Sequence, residues 1–315
     1  MTSPLENNPF GFHSVGRGYS EADHPLCPWL WQVPDQELYV DVDSSEAEFN
    51  RFVEVFGDDR VPPNRGHLIT VVGDSGCGKT SLAHRCASWL LRDQGLPSKG
   101  RTGIIVDLHG EDVAGAPEES FRLIYRMLVI RLGVAANLAQ YREELHGYSD
   151  DPRLGYSRLG ELLADRPVAV VILPPTTVTG EIHMYYKIAQ NRENIIFFAE
   201  SGSGEVQREW DAVVPVSAVH TSLKLGLLNN GDAWKFVQAR MDRSKSSQIP
   251  LAITEEELDG MLQKIDSLRN MRALQILFFE LYREAVRSKL EVITYDYIEK
   301  FYMRNSALNL KDLRR

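Results

Sequence analysis

From residue 67 onward, short apolar runs alternate with longer stretches in which apolar residues recur every three or four positions. Runs of the first kind mark strands buried on both faces, and stretches of the second mark amphipathic helices. The pattern predicts strands over 67–72, 103–108, 168–173 and 194–199, and a last short one within 212–217. Between them it predicts helices over 79–92, 118–132, 154–164 and 181–191. Ahead of the first strand, Phe49, Phe52, Val53 and Phe56 fall at helical spacing, with Ser44 or Ser45 placed to cap the start. Strands and helices that alternate in this way build an α/β fold, a parallel sheet sandwiched by helices.

Beyond Lys224 the pattern changes. No further strand is predicted, and helices follow over 232–241, 254–265, 271–288 and 294–304. Asn229-Asn230-Gly231 reads as a turn before an Asp232 cap, and Thr254 precedes three acids that suit a first helical turn. The chain therefore divides into an irregular arm over 1–35, an α/β body over 36–224 and a small all-helical lid over 225–315. The arm's aromatics, Phe10, Phe12, Trp29 and Trp31, call for a surface to pack on, either this chain's own body or a neighbouring subunit.

The turn after the first strand carries chemistry. Gly73-Asp74-Ser75-Gly76-Cys77-Gly78-Lys79-Thr80 satisfies G-x-x-x-x-G-K-[ST] without departure, between a strand and a helix that continues through Ser81. The glycines let the backbone curl its N–H groups around an anion. Lys79 supplies a cation for phosphate oxygens, and the Thr80 hydroxyl is a hard oxygen ligand suited to Mg²⁺. The start of the following helix adds partial positive charge. The loop predicts a nucleoside triphosphate with Mg²⁺, held by residues 73–81; between ATP and GTP, the absence of an N-K-x-D guanine-reading motif tilts the choice towards ATP.

P-loop enzymes also need acids to anchor the water shell of Mg²⁺ and to polarise the attacking water. The third apolar strand should end in them. It ends instead in Leu173-Pro174-Pro175, which can hold neither a metal nor a water. Either another carboxylate takes the role, with Asp107, Glu181 and Glu200 as candidates, or the site binds nucleotide and hydrolyses it weakly. Asp107 and Glu200 fall at the carboxyl ends of strands, where ligands of such sheets bind.

With these features in place, the chain resembles the AAA+ superfamily of P-loop ATPases, in its initiator-like and STAND-like clades, over about residues 36–304. Asn8-Pro9-Phe10-Gly11 is similar to a short motif that opens bacterial members. Leu38 to Phe49 occupies the place of the segment that flanks the adenine, without the Gly-Arg pair usual there. The resemblance implies a sensor strand ending at Glu200 or Ser201, a first lid helix over 232–240, and a lid arginine, Arg272, aimed at the nucleotide. An arginine finger for a neighbouring subunit would be Arg208 or Arg192.

Bulk composition narrows the partners. The 315 residues are 43% hydrophobic and 25% charged, enough to bury a sizeable core. A net charge of −9 argues against a surface built to hold nucleic acid, and only Lys311 to Arg315 is locally basic. No apolar run approaches the roughly 18 to 20 residues that span a bilayer. Cys27, Cys77 and Cys86 show no metal-like spacing, and a cytoplasmic, reduced setting is expected. The leading expectation is a nucleotide-controlled switch or assembly module, as a homo-oligomer or with a partner protein. An active loader working on DNA is the alternative, and a small-molecule kinase a third, although kinases of that type carry their arginines on a lid inserted within the body.

Overall fold

The computed structural model describes residues 8–11, 39–57, 66–92, 95–113, 115–164, 166–176, 178–192, 194–202, 219–243 and 249–309. Two compact units emerge. One holds the described residues of 47–74 and 79–225; the other holds the described residues of 1–46, 75–78 and 226–315.

The first unit is a five-stranded parallel sheet. Its strands are β1 (His67–Val72), β2 (Gly103–Asp107), β3 (Val168–Ile172), β4 (Ile195–Ser201) and β5 (His220–Lys224), in the order β2-β3-β4-β1-β5. The three central strands, β1, β3 and β4, are buried at every position, which is why they read as mainly apolar runs, interrupted by His67 and Thr70 in β1 and ended by Glu200 and Ser201 in β4. Its helices are α1 (Ser45–Gly57), α2 (Lys79–Leu91), α3 (Pro117–Ala135), α4 (Arg142–Gly147), α5 (Pro152–Leu163) and α6 (Thr179–Asn191). Neighbouring residues of β4 show that both faces are covered. Phe197 packs against Tyr156 of α5 and Tyr185 of α6, while Phe198 meets Phe52 of α1. Successive strand side chains point to opposite faces, so helices lie on each side.

Local chemistry sets the helix starts. α3 opens on Pro117 with Glu118 and Glu119 in its first turn, and α5 opens on Pro152, with Asp151 accepting from the Leu154 N–H.

β5 differs from the expectation. The predicted strand at 212–217 lies outside the described residues, and the sheet's fifth strand is His220–Lys224, a polar stretch. Hydrogen bonds to β1 explain its burial. His67 Nε2 and Thr221 Oγ1 lie 2.9 Å apart, and Thr70 Oγ1 and His220 Nε2 3.0 Å apart. Polar side chains that satisfy one another can occupy a sheet interior at little cost.

The second unit contains α7 (Asp232–Arg243), α8 (Glu255–Lys264), α9 (Met271–Arg287) and α10 (Tyr295–Asn309). α8 begins with a capping box between Thr254 and Glu257, and Asn270 caps α9 by accepting from the Arg272 and Ala273 N–H groups. Contrary to the expectation from its sequence, the region is not free of strands. β6 (Leu251–Ala252) and β7 (Ile293–Thr294) pair in parallel. Two residues per strand are too few to leave a periodic signature.

Residues 8–11 belong to this unit's core. Phe10 is fully buried among Phe236, Phe278 and Tyr282; Gln275 Nε2 donates to its carbonyl, and Asn8 Nδ2 donates to the Phe279 carbonyl at 2.9 Å. Of the arm's aromatics, Phe10 thus packs within its own chain; Phe12, Trp29 and Trp31 lie outside the described residues. The segment 39–46 joins the same unit through Asp43, which accepts from the Gly226 N–H at 2.5 Å and whose own N–H reaches Asp232 Oδ2 at 3.0 Å.

Candidate functional site

β1 lies at the point where the chain order of the sheet reverses. From β1 the chain passes to β2 at the far edge, returns through β3 to β4 beside β1, then crosses to β5 on the other side. Ligands of open parallel sheets gather at the carboxyl ends around such a point. The loop 73–80 leaves β1 there, and its Gly73 N–H donates to Ser201 O at the end of β4, 3.3 Å away.

In the sheet unit, Lys79 is nearly buried at 9% exposure, and its Nζ donates to Gly73 O at 2.9 Å and Asp74 O at 2.8 Å. The ammonium is thus held over its own loop. Thr80 Oγ1 donates to Glu200 Oε2 at 2.9 Å. Register explains that meeting, because β4 pairs with β1 so that Val71 stands opposite Glu200. Ser81, half-buried, continues α2.

Glu200 is only 2% exposed. Its other oxygen, Oε1, lies 3.3 Å from His109 Nδ1, an ion-pair contact without the alignment of a hydrogen bond. The His109 backbone N–H donates to Asp107 Oδ1 at 3.0 Å, and Asp107 Oδ2 stands 3.7 Å from Nε2 of His84 on α2. The two imidazoles sit edge to face, 6.4 Å apart. Burial, the largest single influence on His109, pushes its pKa down, but the Glu200 contact and the Asp107 charge outweigh it and leave the pKa raised.

The three candidate acids therefore have different places. Glu200 touches the loop's threonine. Asp107 does not; it supports His109 and faces His84. Glu181 accepts from Thr176 Oγ1 at 2.8 Å, and burial raises its pKa against the lowering effect of that hydrogen bond. The end of β3 is apolar, with Leu173 at 2% exposure.

The tip of the loop, 75–78, groups with the helical unit. Asn270 Nδ2 donates to Ser75 O, and the Arg272 N–H donates to Gly76 O at 3.0 Å. Gly76, at φ +82°, has no room for a side chain: a Cβ would lie 2.4 Å from Asn270 Oδ1 and 2.8 Å from Arg272 Cβ. Gly78 needs its freedom for conformation alone, at φ +95° with open space around it. Cys77 is buried, as is Cys86 on α2, whose thiol burial pushes well up; neither forms a disulfide, and Cys27 lies outside the described residues. The Arg272 side chain is exposed.

Of the finger candidates, Arg208 lies outside the described residues. Arg192 precedes β4, at the amino ends of the parallel strands, whereas the loop leaves their carboxyl ends. Its Nη1 donates to Asn191 O at 2.7 Å.

His84, His109 and Asn270 were not among the residues singled out from the sequence. His84 stands four residues after Thr80 and so shares a side of α2 with it. His109 follows a strand's carboxyl end by two residues, and Asn270 carries the signal of a helix cap.

Mg²⁺ takes hard oxygen donors. The Thr80 hydroxyl and the Glu200 carboxylate are such a pair, adjacent and beside the loop, so the donor chemistry suits that ion. Among the described residues, no group of three or more His, Cys, Asp or Glu side chains could hold a metal by itself. No helix among them is long and apolar enough to cross a membrane.

A scan against protein-family models and a search of curated protein sequences each found no match. Solved structures do match. The fold is similar to that of Drosophila ORC bound to DNA, at 13% identity over 92% of this chain and 69% of that one, with a TM-score of 0.54. It is similar to the Aeropyrum pernix ORC1 protein in complex with DNA, at 14% identity over 86% and 67%, with a TM-score of 0.54. It is also similar to the ADP form of the Aeropyrum pernix ORC2 protein, at 11% identity over 96% and 73%, with a TM-score of 0.55. The chain has the fold of the AAA+ P-loop ATPases.

Proposed function

We propose that the protein binds ATP with Mg²⁺ in the loop 73–80 and serves as a nucleotide-controlled switch or assembly module, hydrolysing ATP weakly. The loop N–H groups and Lys79 would hold the phosphates, and Thr80 and Glu200 would face the Mg²⁺ ion. Bound there, the ion would neutralise charge on the β- and γ-phosphates. Arg272 would answer the γ-phosphate, so that ATP and ADP differ in what the lid residues can hold; a guanidinium suits phosphate oxygens. The division into arm, α/β body and lid belongs to this proposal, as do a cytoplasmic setting and assembly with further copies or a partner protein.

The observation that carries this reading is the contrast beside the loop. A carboxylate stands against Thr80, while the end of β3 offers only Leu173, Pro174 and Pro175. One acid would serve the metal side, and among the described residues the end of β3 offers none that could polarise a water.

An active ATPase is the second reading, favoured by the same Thr80–Glu200 contact if Glu200 alone suffices. The DNA held by the Drosophila and ORC1 structures then suggests DNA as a partner, although the net charge of −9 speaks against a broad basic surface.

ATP turnover measured beside ATP affinity, for the native chain and Lys79→Ala, tests this. Tight Mg²⁺-dependent binding, lost in the variant, with negligible turnover supports the switch. Turnover on the order of 1 s⁻¹, within the ordinary enzyme range, sinks it in favour of the active ATPase.

A further inference from the structure

We propose that His109 is the positioning residue that holds Glu200 against Thr80, and that Asp107 and Leu108 hold His109 for that purpose. The inference rests on the reading that the loop takes Mg²⁺ with its nucleotide, and it assigns the histidine a role that neither the loop motif nor the apolar end of β3 contains.

A carboxylate exposed by only 2% is costly to keep unless its oxygens find partners. Thr80 occupies Oε2 of Glu200, and Oε1 faces His109 Nδ1. Lys79 donates to the Gly73 and Asp74 carbonyls and not to Glu200. With one oxygen held by the imidazole, the other is left directed at the hydroxyl.

His109 is itself well supported. Leu108, the residue before it, is fully buried, and its N–H donates to Ile172 O on β3 at 2.8 Å. The His109 N–H closes onto Asp107 Oδ1, and Asp107 in turn faces His84. The backbone that presents the imidazole is therefore an extension of the sheet rather than a free loop. Because the strand order is β2-β3-β4, a side chain from the end of β2 that meets Glu200 on β4 must pass over the end of β3. That is the place where the expected acids are missing.

The 3.3 Å contact lacks hydrogen-bond alignment. Contacts that orient a functional group are often long before the ligand arrives and tighten with it. Partners one step behind a metal-facing group commonly matter by 10- to 100-fold in metal affinity.

The test measures ATP affinity by calorimetry, with Mg²⁺ and with EDTA, on the full chain. It compares the native protein with His109→Ala, His109→Leu and His109→Asn, each checked by thermal melting. The gain in ATP affinity on adding Mg²⁺ should fall about 10-fold or more in the Ala and Leu variants, with affinity in EDTA unchanged. His109→Asn, whose amide places an N–H donor close to the Nδ1 position, should retain most of that gain. Should the Ala variant fail to fold, the Leu variant, closer to His in volume, gives the decision.

An unchanged Mg²⁺ effect in Ala or Leu would overturn the proposal. So would an equal loss of affinity in Mg²⁺ and in EDTA, the mark of a residue that only supports the fold. If the native chain binds no ATP under either condition, the reading of the loop fails and this inference with it. Mg²⁺-dependent binding that survives every substitution overturns the role of His109 alone.

Discussion

Strands β3 and β4 lie side by side, paired from Ala169 opposite Ile195 to Ile172 opposite Phe198, and both are buried along their whole length. Their carboxyl ends then part. β3 runs into Leu173 and two prolines, while β4 delivers Glu200 and Ser201 beside the loop. The difference follows from which strand touches β1. β4 pairs with β1 directly and β3 does not, so a carboxylate on β4 reaches Thr80 without help from the strand beyond. The carboxylate that meets the loop thus stands on β4, at a position only 2% exposed.

The strongest way to break this comparison is to place an acid on β3. Leu173→Asp should cost about 3–5 kcal/mol in urea unfolding, because it removes a buried leucine and buries an unpaired carboxylate. Full stability together with raised ATP turnover would show instead that the end of β3 is a vacant acid position.

Glu200→Gln comes next. The amide oxygen still accepts from Thr80, so the fold should hold, while the Mg²⁺ enhancement of ATP affinity drops by about 10- to 100-fold. Calorimetry with and without the ion reads this, and an undiminished enhancement would remove Glu200 from the metal side.

Gly76→Ala should have a smaller effect, destabilising the chain by about 1–3 kcal/mol in thermal melts. A Cβ at φ +82° would press on Asn270 Oδ1. Adding Asn270→Ala should recover part of the loss, and no recovery would show that backbone conformation alone demands the glycine.

The smallest effect is expected from Asp107→Asn. Its Oδ1 keeps the His109 N–H, while the 3.7 Å contact with His84 and the charge beside His109 are weakened, together worth about 1 kcal/mol. A loss of Mg²⁺ enhancement as large as that of Glu200→Gln would reverse the roles given to the two acids.

The loop was legible in the sequence because its constraints are contiguous: glycines where the backbone turns, then Lys79 and Thr80 opening a helix. The central strands were legible because burial on both faces leaves mainly apolar runs. β5 was not, since His220 and Thr221 are buried by bonding to β1 rather than by being apolar. Nor could the partnership of Asp107, His109 and Glu200 be read. It depends on strand order, which brings the ends of β2 and β4 together across β3, and order along a sheet is not written in local periodicity. Asp107 and Glu200 therefore looked like rivals for one role, when only Glu200 meets Thr80.

Phe10 has a consequence for how the chain is made. Asn8 and the Phe279 carbonyl it binds are separated by 271 positions, and Phe10 fills the same late-formed core. At roughly 5–20 residues per second, about 15 to 55 s of synthesis separate the two partners. During that interval the phenylalanine must wait outside its final core while the whole sheet unit is synthesised. The helical unit closes only when helices made after the sheet unit meet a segment made before it.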